Sequence, residues 1–143
     1  MTRVAFPALA VAVVIACGPA QPQAKGIPVY SDHYAMRLIT DPERAHALEK
    51  TKYKVVVRDK QTGQPVDGGE GLLYGNTKDP DVKVWDSFVA GAEPGTYYAT
   101  VEFVVADNWY MAIRFHKDSA QHLEQVDWVQ QVFAERPFPD STH

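Results

Sequence analysis

Apolar and polar residues alternate most clearly in the stretch Trp109-Tyr110-Met111-Ala112-Ile113-Arg114-Phe115-His116. Its odd-numbered residues are all large and apolar, and three of its four even-numbered residues carry a polar group. Successive side chains of a β-strand point to opposite faces, so this pattern predicts a strand with one face in a core. Residues 97–104 alternate in the same way. We predict that the two segments form a β-hairpin with its turn at residues 106–108.

Three segments further upstream follow the same two-residue period, namely residues 34–39, 52–58 and 82–88. Turn-forming residues separate them, at residues 59–63, 67–69 and 93–95. Regularly spaced short strands with Gly and Pro between them favour an all-β domain, and we predict an antiparallel β-sandwich of about seven strands over residues 29–133. The predicted core residues are Tyr53, Val55, Val57, Val101, Phe103, Trp109, Met111, Ile113 and Phe115.

Two segments allow a helix. Asp41 and Pro42 suit the N-cap and first position of a helix, and good helix formers follow, so one short helix over residues 44–50 could interrupt the sandwich. Residues 118–133 fit either a helix face or a strand, and we favour a strand at residues 126–133. Pro restricts its own backbone and that of the preceding residue, so an extended tail is predicted for residues 134–143.

Near the start of the chain, the basic residue Arg3 is followed by thirteen apolar residues that end at Ala16. This length is typical of a signal-peptide core, whereas a membrane-spanning helix needs about 20 apolar residues. The only cysteine ends the run in Val14-Ile15-Ala16-Cys17, which resembles the lipobox of bacterial lipoproteins. We therefore predict a signal peptide or uncleaved anchor at residues 1–16, lipidation of Cys17, and a flexible tether over residues 17–28. The domain would be lipid-anchored on the periplasmic or extracellular face of a bacterial membrane.

Composition and motifs exclude several functions. Fourteen basic and eighteen acidic residues give a net charge of -4, and the basic residues do not cluster, which argues against a nucleic-acid surface. A single cysteine excludes an intramolecular disulfide and a cysteine-based zinc site. None of the four serines lies in a Gly-x-Ser-x-Gly motif, and no phosphate loop or dinucleotide fingerprint is present. We expect a non-enzymatic protein without an evident small-molecule substrate.

Thioether and imidazole side chains suit copper. The candidate ligands are His33, Met36, His116 and His122. On an extended strand, however, His33 and Met36 would face opposite sides. We expect the methionines to fill the core and the histidines to lie at the surface or an edge, so we expect no cofactor and keep copper as the alternative.

Aromatic residues are enriched at protein interfaces. The candidates for contact with a partner are Trp85, Trp128, Phe133 and Phe138, and Tyr98 and Tyr110 belong to the same group of aromatics. The alternative is that most of these rings complete the core or cover its edge.

Four stretches together resemble the YtkA-like and FixH-like domains of bacterial envelope proteins. They are Tyr53-Lys54-Val55-Val56-Val57-Arg58-Asp59, Thr62-Gly63-Gln64-Pro65-Val66, Pro94-Gly95-Thr96-Tyr97-Tyr98-Ala99-Thr100-Val101 and Asn108-Trp109-Tyr110-Met111-Ala112-Ile113. The resemblance implies an immunoglobulin-like sandwich in a group associated with copper handling or with the support of membrane electron-transfer complexes. The copper-associated members carry Met and His in the middle of the domain, and residues 71–78 contain neither.

The resemblance and the predicted anchor together suggest a function. We expect an accessory subunit that docks on and supports a larger membrane assembly, such as an oxidase or a photosynthetic reaction centre. Copper binding or copper delivery in the envelope is the alternative function.

Overall fold

A computed structural model describes residue 18 and residues 25–137 of the 143-residue chain. The predicted leader, Cys17, most of the tether, and Phe138 lie outside these residues. Within them the chain forms nine strands: β1 (Ile27–Tyr30), β2 (Tyr34–Asp41), β3 (Lys50–Asp59), β4 (Glu70–Asn76), β5 (Lys83–Ser87), β6 (Val89–Ala90), β7 (Thr96–Glu102), β8 (Asn108–His116) and β9 (Glu124–Gln131). No helix occurs in the described part of the chain, which confirms the all-β prediction.

The strands form two sheets, and every strand pair is antiparallel. The five-stranded sheet has the order β1-β2-β3-β7-β6, and the four-stranded sheet has the order β5-β4-β8-β9. Nine strands occur where about seven were predicted, because the short strands β1 and β6 add an edge on either side of the five-stranded sheet. Their few residues carry too little alternation to be recognised in the sequence.

The core lies between the two sheets and contains all nine residues predicted for it, each at most 5% exposed. Trp109 lies at its centre, where its ring meets Phe103 edge to face at 4.9 Å. The indole N–H of Trp109 donates to the carbonyl of Val105 at 3.1 Å. The prediction that Met36 and Met111 fill the core is also confirmed, since they are 2% and 1% exposed.

The predicted hairpin of β7 and β8 was wrong. Strand β7 pairs with β3 and β6, whereas β8 pairs with β4 and β9, so the chain crosses from one sheet to the other between them. The contact of Phe103 with Trp109 shows why, because the apolar faces of β7 and β8 are turned towards each other across the core. Alternation looks the same in a hairpin and in two facing strands, so the sequence pattern does not distinguish them.

The predicted helix over residues 44–50 was also wrong. The backbone of this segment bonds to other parts of the chain: Phe133 exchanges two hydrogen bonds of 2.9 Å with Ala45 and Ala47, and the N–H of Leu48 donates to Phe103 at 2.7 Å. Leu48 has a φ of 61°, which is outside the range of an α-helix. Burial of Ala45 and Ala47 and these tertiary bonds outweigh the local helix propensity.

The preference for a strand near residues 126–133 is confirmed, although β9 spans Glu124–Gln131. Strand β9 ends two residues earlier than predicted, because Phe133 does not pair with β8 and instead forms a β-bridge with His46. In the tail, the guanidinium of Arg136 pairs with the carboxylate of Glu49.

Candidate functional site

Aromatic side chains collect on the outer face of the four-stranded sheet. Strand pairing places Trp85 beside Tyr74 and Tyr74 beside Ala112, and in the next row Tyr110 lies beside Val129. We call the surface formed by these five residues the aromatic face. Trp85 is 67% exposed, Val129 59% and Tyr110 40%. The alternation of each strand explains this placement, because the neighbouring residues on the same strands point into the core.

A depression of about 460 Å³ lies in the aromatic face. Ala112 is only 9% exposed and forms its floor, since its methyl group is much shorter than the surrounding side chains. Tyr74, Tyr110 and Val129 line its apolar part. This volume falls within the range of about 300–1,000 Å³ that is usual for ligand pockets.

One end of the depression is polar. The Nε–H of Arg114 donates to Gln125 Oε1 at 3.0 Å, and the amide of Gln125 donates to Asp127 Oδ1 at 2.8 Å. Nearby, the ammonium of Lys78 lies 4.8 Å from the centre of the Tyr110 ring, a cation–π contact. Among the described residues, no carboxylate lies within ion-pair distance of Arg114 or Lys78.

Three of the four residues predicted to contact a partner lie in the described part of the chain. Trp85 belongs to the aromatic face. Trp128 is half-buried on the edge strand β9, with its ring centre 6.4 Å from that of Tyr53, and it also lines the depression. Phe133 is half-buried against His46 and Arg44. Phe138 lies outside the described residues.

Sequence reasoning missed Tyr74 as a member of this surface. Tyr74 follows two leucines, Leu72 and Leu73, and two adjacent apolar residues obscure which of them faces the core. Gly75 gives the missing signal. A Cβ at this position would clash with the Met111 sulfur, so the backbone at Gly75 packs against the core and Tyr74 points outwards.

The candidate copper ligands do not converge. Met36 lies in the core, whereas His33 lies in the exposed turn before β2 with its Nδ1 3.1 Å from Glu124 Oε1. His122 lines a cavity of about 410 Å³ together with His33, but His116 is not among the residues of that cavity. Over residues 25–137 no group of three or more His, Cys, Asp or Glu side chains is arranged to hold a metal ion.

His116 departs from the expectation of a surface or edge histidine, since it is only 9% exposed. Its Nδ1 lies 3.1 Å from the carbonyl of Gln121 and its Nε2 lies 3.3 Å from Glu70 Oε2. Both partners are acceptors, so only the protonated ring can donate to both. The pKa of His116 is therefore raised, chiefly by the Gln121 carbonyl and then by Glu70, against the opposing effect of burial.

The raised pKa of His116 makes stability depend on pH. Its contribution is fully present below the unfolded value of about 6.5 and is lost as pH rises through the folded pKa. We therefore expect His116→Gln to destabilise the domain more at about pH 5.5 than at about pH 8.5, as measured by urea unfolding. His122→Gln, which removes an exposed histidine from the loop between β8 and β9, is the control. An equal loss for His116→Gln at the two pH values would contradict this assignment.

In the described part of the chain, no helix has the length and hydropathy needed to cross a membrane. Comparison with protein-family models, with curated proteins and with solved structures gives no match to this chain. Function is therefore inferred from the surface chemistry of the domain.

Proposed function

We propose that this protein is a lipid-anchored, non-enzymatic accessory subunit on the periplasmic or extracellular face of a bacterial membrane. It docks on and supports a larger membrane assembly, such as an oxidase or a photosynthetic reaction centre. The observation that carries the proposal is the exposed aromatic face of the four-stranded sheet.

We also propose that the domain belongs to the immunoglobulin-like class. Strands β2, β3, β7 and β6 lie in the order of strands A, B, E and D of an immunoglobulin domain. In the other sheet, β4, β8 and β9 lie in the order of strands C, F and G. The hydroxyl of Tyr97 donates to the Val66 carbonyl and accepts the Gly69 N–H, which ties β7 to the segment that leads into β4.

The aromatic face has the composition of a binding surface. Single exposed apolar residues are normal on a protein, but a contiguous apolar patch usually marks an interaction site. Trp, Tyr and Arg are the residues that most often dominate binding energy. Here Trp85, Tyr110 and Arg114 lie on one face, and the first two are exposed by 67% and 40%.

The anchor would hold this surface close to the membrane. Nine residues, 18–26, separate Cys17 from the first strand, and a chain of this length spans at most roughly 30 Å. Stable attachment needs more than one acyl chain, which is what lipidation of a lipoprotein cysteine supplies. A domain held at this distance meets integral-membrane partners more often than a freely diffusing one.

Copper delivery has less support. Met36 and Met111 are buried in the core, so their sulfur atoms do not face a site open to solvent. His116 is already bonded to Gln121 and Glu70. Of the four candidate ligands, His33 and His122 are exposed, and both line the cavity of about 410 Å³.

Gentle detergent extraction of the tagged full-length chain, followed by mass spectrometry of the proteins that co-purify, tests the docking function. We expect a membrane complex to co-purify with the wild-type chain, and Trp85→Ala to weaken its binding at least about thirty-fold, as for a binding hot spot. Val89→Ala removes an equally exposed apolar side chain from the opposite sheet and is the control. Cys17→Ser should leave the chain unlipidated, either released from the membrane or unprocessed.

Two outcomes would contradict the proposal. One is a wild-type chain that is extracted only as a monomer without a partner. The other is equal retention of the partner by Trp85→Ala and Val89→Ala. An unmodified Cys17 in the membrane-extracted protein would contradict the lipid anchor but not the docking surface.

A further inference from the structure

We propose that the depression over Ala112 binds an acidic and apolar segment of the partner protein. One carboxylate of that segment binds Arg114, and a neighbouring apolar side chain lies against Tyr74 and Tyr110. The proposal rests on the docking function and names the chemistry of the partner at the same surface.

The orientation of the Arg114 side chain suits the binding of a carboxylate. The Nε–H of Arg114 donates to Gln125 Oε1, which orients the guanidinium. The two terminal nitrogens of Arg114 have no hydrogen-bond partner among the described residues. A guanidinium binds a carboxylate through two parallel hydrogen bonds, which gives both strength and orientation. A side chain that is already held in place loses less conformational entropy on binding.

The apolar part of the depression lies directly beside Arg114. Ala112 precedes Arg114 by two residues on β8, so both side chains point to the outer face. Tyr74 pairs with Ala112, and Tyr110 lies two residues before Ala112 on β8. In a bound segment, the residue whose apolar side chain lies over Ala112 is therefore one or two residues away from the residue whose carboxylate binds Arg114.

The charge around the depression favours an acidic segment. Lys83 is 3.7 Å from Asp81, so these two charges offset each other. Arg114 and Lys78 remain, against Asp127, whose carboxylate already accepts the Gln125 amide. Of the charged side chains that line the depression, Arg114 is therefore offset by Asp127, and Lys78, which contacts the Tyr110 ring, adds a positive charge beside it. Because Asp127 also lines the depression, it opposes a ligand carboxylate, and its neutralisation should strengthen binding.

NMR of the full-length chain with two matched probes tests this chemistry. The probes are N-acetyl-L-phenylalanine, which carries a carboxylate, and N-acetyl-L-phenylalanine amide, which does not. We expect the carboxylate probe to shift the signals of the Trp128 indole and the Ala112 methyl group, which line the depression, and to bind at least about ten-fold more tightly than the amide. The signal of the buried Trp109 indole is the internal reference.

Variants assign the effect to individual residues. Arg114→Gln should abolish the difference between the probes, and Asp127→Asn should increase it. Arg58→Gln, which changes an exposed arginine on the opposite sheet, should leave it unchanged. Equal affinity for the two probes, an absence of shifts with either probe, or the same response in Arg114→Gln as in the wild type would overturn the inference.

The partner experiment separates this inference from the docking function. If Trp85→Ala loses the partner while Arg114→Gln and Asp127→Asn retain it equally, the docking function stands and the carboxylate inference is wrong. If Arg114→Gln weakens and Asp127→Asn strengthens retention, both stand. If the carboxylate probe binds as expected but no partner co-purifies, the site chemistry stands and the docking function fails.

Discussion

Trp109→Ala is expected to lower the free energy of unfolding by about 3–5 kcal/mol, the range for removal of a large buried aromatic. Trp109 is fully buried, its ring packs edge to face on Phe103, and its indole N–H donates to Val105. The substitution leaves a cavity between the two sheets and leaves the Val105 carbonyl without this donor. Urea unfolding of the variant and the wild-type chain, followed by circular dichroism, measures the loss.

Trp85→Ala is the control for this substitution. It removes the same side chain from the aromatic face, where two thirds of the residue is exposed, and should change stability by no more than about 0.5 kcal/mol. If the two substitutions cost the same, Trp109 is not at the centre of the core. A mainly helical circular dichroism spectrum of the wild-type domain would contradict the fold as a whole.

Gly95→Ala is expected to lower the free energy of unfolding by about 2–4 kcal/mol, from backbone strain together with overpacking. Gly95 has a φ of 71°, a conformation that alanine adopts at a cost of about 1–2 kcal/mol. A Cβ here would also lie 2.7 Å from the Val57 carbonyl oxygen and 2.8 Å from Pro65 Cβ. The Gly95 carbonyl accepts the Val57 N–H at 2.7 Å, so the backbone has little freedom to move away.

Gly63→Ala separates the two causes. Gly63 has nearly the same φ, 69°, but a Cβ there would meet no atom within 4 Å. We therefore expect a loss of only about 1–2 kcal/mol for Gly63→Ala, which is the cost of the φ angle alone. Urea unfolding of both variants measures the difference. Equal losses would show that contacts around Gly95 contribute nothing.

Local pattern predicted the elements of the core but not their arrangement. Alternation along β3, β7 and β8 identified every predicted core residue, because burial of one face is a property of each strand alone. It did not show that β7 and β8 belong to different sheets, since that depends on contacts between Phe103 and Trp109. The predicted helix at residues 44–50 failed for the same reason, because hydrogen bonds to Phe133 and Phe103 come from distant parts of the chain.

The candidate site could be predicted only in part. Trp85 was identified from its position on an alternating strand and its aromatic character. The depression depends on register, because Ala112 becomes a floor only when Tyr74 and Asp127 are its neighbours on the adjacent strands. Gln125 and Arg114 likewise meet only through the pairing of β8 with β9. Sequence spacing does not contain these cross-strand neighbours.

The edge strands of the five-stranded sheet, β1 and β6, are short, and this affects how closely spaced copies of the chain can interact. Attachment to a membrane would concentrate many copies of this chain in two dimensions, where open sheet edges tend to join. Strand β6 has only two residues, and β1 has four, including Pro28, which has no N–H to donate. Neither edge of this sheet offers a long template for another strand, so any joining of copies through sheet edges would fall to the four-stranded sheet, whose edge strand β9 has eight residues.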